Sequence, residues 1–142
     1  MRLSLCFIIL VSAICNSPAQ QIFNERKRAE VIDEILADRI NRLLPALMKE
    51  KDIDCWVIIS REYNEDPVLK TFLPATWLSA RRRTMLLFNQ PGDGKPFEKW
   101  AIARYNVGET IRAAWDLQKF PDQWDQLTEI LIRINPAKIA IN

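Results

Sequence analysis

Arg81, Arg82 and Arg83 run directly into a stretch of strand character, and adjacent guanidinium groups can clamp a carboxylate or a phosphate through paired N–H donors. The same triplet suits an exposed strand entry neutralised by neighbouring acids, so both readings stay open. Trp56, Trp77, Trp100, Trp115 and Trp124 are many tryptophans for 142 residues, and aromatic side chains serve cores and interfaces alike. Trp56 and Trp124 fall on expected core faces. Trp77 and Trp115 fall in less regular segments, where an interface role stands beside packing.

Covalent and metal chemistry have little to draw on. The sequence holds no His, 3 Cys and 3 Gly. Without His, the commonest general base and the commonest metal ligand are both missing. Carboxylates remain as ligands, but Asp33, Asp38, Asp52 and Asp54 sit on expected helix faces and exits, where solvated charge is normal. Ser60 and Ser79 lack a His to activate them, and neither a Gly-x-Ser-x-Gly elbow nor a glycine-rich phosphate loop is present. The chain alone is therefore read as non-catalytic, with no metal or cofactor of its own. With 20 Lys+Arg against 18 Asp+Glu, the net charge is +2, too small an excess to suggest nucleic acid or an anionic membrane as partner.

The elements that must position these residues follow from periodicity. Asn24 is a good helix N-cap, and Ala29, Ile32, Leu36, Ile40, Leu43 and Leu47 recur at helical steps. Pro45 falls inside this pattern and should kink or split the helix. Residues 53–60 have a near-continuous apolar tail suited to a strand covered on both faces. Asp66-Pro67 reads as the start of a short helix that Pro74 ends. Residues 84–88 and 99–105 read as a strand pair around the turn-rich 90–96 stretch. A last helix between Pro121 and Pro136 would bury Trp124, Leu127, Leu131 and Ile134, and residues 138–142 begin a further strand. This order predicts an α/β domain with a mixed β-sheet flanked by helices. A strand starting so soon after a helix at the end of the sequence raises the expectation that the domain is cut there.

At the other end, Met1-Arg2, an apolar run over Leu3–Ile14 and the small residues of Ser17-Pro18-Ala19 have the layout of a secretory signal peptide. The apolar run is shorter than the ~20 residues of a membrane span. Residues 1–19 are thus expected to be removed, leaving 20–142 as the exported domain, periplasmic or extracellular, with no membrane attachment. A lipoprotein alternative would use Cys15, but bulky Ile14 precedes it where a small residue is preferred. Cleavage takes away Cys6 and Cys15. Cys55 then has no internal disulfide partner and, inside an apolar run, is read as a buried structural thiol.

A long charged helix ending in Leu47-Met48-Lys49-Glu50-Lys51-Asp52-Ile53-Asp54, a strand, and then Arg61-Glu62-Tyr63-Asn64-Glu65-Asp66-Pro67 resembles the N-terminal domain of the creatinase, prolidase and aminopeptidase P family. Leu73-Pro74-Ala75-Thr76-Trp77-Leu78-Ser79-Ala80-Arg81-Arg82-Arg83-Thr84 looks like a secreted bacterial branch of it. The resemblance spans residues 25–142. It departs from the family where Thr71-Phe72-Leu73-Pro74 replaces a Tyr-Leu-Thr-Gly-Phe type of segment. In that family a mixed-sheet α/β domain precedes a pita-bread domain, which binds a divalent metal pair and cleaves bonds preceding proline. The resemblance implies that this chain is the non-catalytic domain that shapes the substrate entrance and subunit contacts. The metal pair would then belong to the missing catalytic domain, its natural partner. Tyr63, Asn64, Trp77, Arg81, Arg82, Arg83 and Trp115 are the candidates for entrance or interface contacts, and self-association stays open. The other reading is a free-standing secreted α/β binding or interaction module.

Overall fold

The computed structural model describes residues 22–92 and 94–142, so the expected signal peptide lies outside the described residues, as does Asp93 of the 90–96 turn. Helix α1 (Glu25–Asp38) starts where expected: the Asn24 side chain accepts a hydrogen bond from the Lys27 amide at 2.9 Å. It runs into a π turn (Arg39–Leu43) and then helix α2 (Leu44–Glu50). The helical path runs on through Pro45 without a break, and the proline is accommodated by the wider turn before it, in which the Leu44 amide reaches the Arg39 carbonyl.

The π turn changes which face is buried. An α-helix carried straight through would bury Leu43 and Leu47, but these are 57% and 40% exposed, whereas Leu44 and Met48 are buried in line with Leu36 and Ile40. A π turn takes more than 3.6 residues, so every side chain after it rotates back around the axis. The expected stripe holds at Leu36 and Ile40 and shifts by one residue beyond them. Ile32, also expected inside, is 48% exposed.

Strand β1 (Cys55–Arg61) follows, then helix α3 (Pro67–Lys70), capped by Asp66, which ends at Thr71 rather than at Pro74. Strands β2 (Arg83–Asn89) and β3 (Glu98–Ala101) form the expected antiparallel hairpin, but β3 stops four residues early. A two-residue strand β4 (Arg112–Ala113), not expected from the sequence, pairs parallel with β3. Helix α4 (Gln123–Ile134) begins at the Asp122 cap, and β5 (Ile139–Ile141) lies parallel to β1. The result is a mixed α/β fold with a five-stranded sheet in the order β4-β3-β2-β1-β5.

Period-two alternation divides the interior strands between the two faces of the sheet. Ile58, Leu86 and Phe88 pack with α1 and α2, while Cys55, Val57, Met85 and Leu87 pack with Leu127 and Ile130 of α4. Helices thus cover both faces, which is why β1 and β2 read as apolar runs. Helix α4 packs Leu127, Leu131 and Ile134 inward as expected, and departs from its expected face at Trp124. Trp124 is 45% exposed, and Gln123 and Gln126 are buried. The Gln123 amide nitrogen donates to the carbonyls of Ile102 and Arg83, and Gln126 accepts from the Asp116 amide at 3.0 Å. Satisfied amides can replace an indole in a buried seam. No helix among the described residues is long and apolar enough to cross a membrane.

Candidate functional site

Each loop at the far end of β1 and the near end of β2 is held by a short-range device. The Ser60 hydroxyl, considered above as a nucleophile, accepts from the Asp66 amide at 3.1 Å, and Thr84, its cross-strand partner, accepts from the Arg81 amide at 3.1 Å. Two buried hydroxyls on one face therefore pin the two chain segments that leave the sheet here. Helix α1 and the π turn after it support the same segment: Asp33 accepts from the Ala75 amide at 2.8 Å, and the Arg39 guanidinium donates to the Thr71 carbonyl. A Cβ on Gly108, at φ 61°, would lie 3.2 Å from the Pro74 side chain, so glycine is needed where the 107–111 turn meets the 72–77 loop.

This scaffold sends the candidate residues to three places. Trp77 packs against the core and meets Tyr105 edge-on at 5.8 Å, and the Arg81 guanidinium lies 4.5 Å from the Trp77 ring and 5.9 Å from that of Tyr105. Arg81 is thus engaged by aromatic faces. Trp115 lies against the α4-side core, and its indole N–H donates to the Phe120 carbonyl at 2.9 Å. Both tryptophans have internal packing partners. Arg82 and Arg83 separate from Arg81 and join Arg61, Glu62 and Tyr63 around a surface concavity of about 320 Å³. Asn64 closes the adjoining turn, donating its amide to the Arg61 carbonyl at 3.0 Å.

Two properties distinguish that concavity. Arg61 and Arg83 are directly opposite in the antiparallel register, so their side chains leave the same face of the sheet. The Arg83 guanidinium rests 5.3 Å from the ring of Trp124, which the buried glutamines leave exposed. The backbone is also unusual. Four non-glycine residues have positive φ among the described residues, and Tyr63 (66°) and Arg82 (51°) both line this concavity. The other two, Asp52 and Asn135, terminate α2 and α4, where a left-handed residue is the common stop.

The acids near the arginines are occupied by backbone donors. Glu62 accepts from the Arg82 amide at 3.3 Å, Glu65 from the Tyr63 amide at 3.3 Å, Asp66 from the Val68 amide at 2.6 Å and Asp122 from the Trp124 amide at 2.9 Å. Among the described residues, no salt bridge engages Arg61, Arg81, Arg82 or Arg83. Sequence reasoning missed Arg61 because only strand register sets it against Arg83.

Elsewhere the chemistry is structural. Burial, then the charge of Asp54, pushes the Cys55 thiol up to about 12, which keeps it protonated and unreactive. The described residues contain no group of three or more His, Cys, Asp or Glu that could hold a metal ion. Asp38, read above as solvated, pairs with Arg42 at 2.7 Å, and that hydrogen bond holds its carboxyl below the usual range. No family model, curated protein or solved structure matches the chain.

Proposed function

We propose that this chain is the exported, non-catalytic N-terminal domain of a metallopeptidase of the creatinase, prolidase and aminopeptidase P type. One observation supports the reading: residues 61–84, which with the Ile53-Asp54 strand entry make up the most specific part of the resemblance, connect β1 to β2, and the two ends of that connection, 61–66 and 78–83, lie at the far end of β1. There Tyr63 and Leu78 are each 92% exposed, on loops tied down by Ser60, Thr84 and Asp33. A rigid rim of aromatic, apolar and cationic side chains is what a domain bordering a peptide entrance would present. The metal pair and the bond cleavage would belong to the catalytic domain that follows.

The test is the nucleotide sequence beyond the Asn142 codon. Continuation in frame into a segment with the Asp, Asp, His, Glu and Glu ligands, together with metal-dependent cleavage before proline by the joined product, supports the reading. A stop codon after Asn142 in a stably expressed product overturns it.

The arginine concavity favours a second reading, a free-standing exported binding module. It requires the isolated chain to unfold in one cooperative transition in urea. A broad, non-cooperative transition would remove it.

A further inference from the structure

We propose that the concavity lined by Arg61, Glu62, Tyr63, Arg82 and Arg83 is a binding site for a single oxyanion, a carboxylate or a phosphate group, held by its arginines. The inference stands on the arginine geometry and does not depend on the peptidase reading.

The first observation is the cross-strand opposition of Arg61 and Arg83. Like charges directly opposite in an antiparallel pair destabilise it, and this pair has no acidic side chain bridging it among the described residues. An oxyanion between the two guanidinium groups would turn repulsion into two charge-assisted contacts. The second is that the local carboxylates are committed. Glu62, which shares the lining, accepts from the Arg82 amide, and Glu65, Asp66 and Asp122 each accept from a backbone amide; none of the four forms a salt bridge with these arginines among the described residues. The third is pre-organisation. The Arg83 guanidinium carbon lies over the Trp124 ring, 5.3 Å from its centroid, and none of the Arg83 N–H donors enters a salt bridge among the described residues. The fourth is a left-handed backbone at Arg82, on the lip of the same concavity and ending no helix, whereas the positive φ of Tyr63 belongs to the 61–64 turn that the Asn64 amide closes on the Arg61 carbonyl. Non-glycine residues in the left-handed region cluster at ligand sites, where the surroundings hold them. A volume of about 320 Å³ admits a carboxylate or phosphate with a few attached atoms.

The experiment is thermal unfolding of the full chain at constant ionic strength. The probes are inorganic phosphate, acetate, and a short peptide with either a free or an amidated C-terminus. Site binding predicts a saturable rise in Tm with phosphate, acetate or the free-acid peptide, and none with the amidated peptide. A response confined to phosphate identifies a phosphate ligand. A response to the free-acid peptide identifies a peptide carboxylate.

Arg61→Gln sharpens the test because its two effects have opposite signs. It should abolish the saturable response, yet raise the anion-free Tm by about 1–3 °C by removing the like-charge pair. Arg82→Gln removes an exposed side chain at the same rim and should weaken half-saturation about tenfold or more. Arg133→Gln, on α4 over Trp100 and outside the concavity, should leave the response intact. The proposal is overturned if no anion gives a saturable shift, or if Arg61→Gln and Arg82→Gln respond like the parent chain.

Discussion

The two ends of β1 carry similar numbers of charged residues and use them in opposite ways. At the start of the strand, Asp52 pairs with Lys138 at 2.6 Å, and Asp54 accepts from the Lys138 amide at 2.9 Å while its carbonyl takes the Gln90 amide at 2.7 Å. Even the left-handed φ of Asp52 is accounted for. It closes α2 in a Schellman arrangement, with the Ile53 amide bonded to the Met48 carbonyl at 2.8 Å and the Asp52 amide to the Lys49 carbonyl at 3.2 Å. At the far end, Arg61, Arg82 and Arg83 gather with no acidic partner in a salt bridge among the described residues; the left-handed φ of Tyr63 belongs to the 61–64 turn, and that of Arg82 ends no helix. Charge and strain that local folding explains are structural. Charge that it leaves without a partner points outward, to a ligand.

That contrast can be broken most sharply beneath the arginine end. Gln123→Leu strips the buried donor from the Ile102 carbonyl and loosens α4 from the start of β2. A cost of about 1–3 kcal/mol is expected in urea unfolding, together with loss of the Trp124 platform under Arg83. If stability is unchanged, the base of the concavity is not rigid. Next in size is Asp54→Ala at the paired end. It removes the carboxylate that fixes the entry of β5 and should cost about 1 kcal/mol, with faster amide exchange along β5.

Relief of strain should follow with the opposite sign. Tyr63→Gly removes a Cβ at φ 66° and is expected to stabilise the chain by about 0.5–1 kcal/mol. The same change at Asp52 would also delete the partner of Lys138, so no comparable gain should appear there. Equal gains at both positions would remove the distinction drawn between the two ends.

The smallest effect is on acid stability. The hydrogen bond from Lys138, then its charge, holds Asp52 below the ordinary value of 3.8. The stabilisation is complete above that value and is lost as pH falls through the lowered folded-state value. Asp38, held down by Arg42, acts in the same direction. Lys138→Gln should flatten the loss of stability below about pH 4, whereas Arg82→Gln should leave that limb unchanged.

Much of the fold was legible because its signals are local. Asn24 and Asp66, the two caps expected, each cap a helix with their own side chains, as residues of these types do wherever the following backbone turns helical; Asp122 does the same for α4, where only the flanking prolines had marked the helix. The apolar runs of β1 and β2 announced strands covered on both faces. What misled was any inference that carried a period across a break. The stripe through Leu43 and Leu47 assumed a uniform helix, and the π turn at Arg39–Leu43 moved burial to Leu44 and Met48. Trp124 was expected inside because indoles are apolar, but the carbonyl of Ile102 required a donor and Gln123 supplied it. Strand β4 has two residues and no pattern of its own; it forms because β3 presents an edge.

The arginine triplet divides along the same line. Chain order by itself determined that three guanidinium groups precede a buried strand. Only the tertiary structure decided that they part company, Arg81 going to Trp77 and Tyr105 while Arg82 and Arg83 meet Arg61 from another strand. The physical reason is that capping, alternation and chain breaking act within a few residues. Opposition across a sheet depends instead on register, which the whole core sets when it buries both faces of β1 and β2 at once.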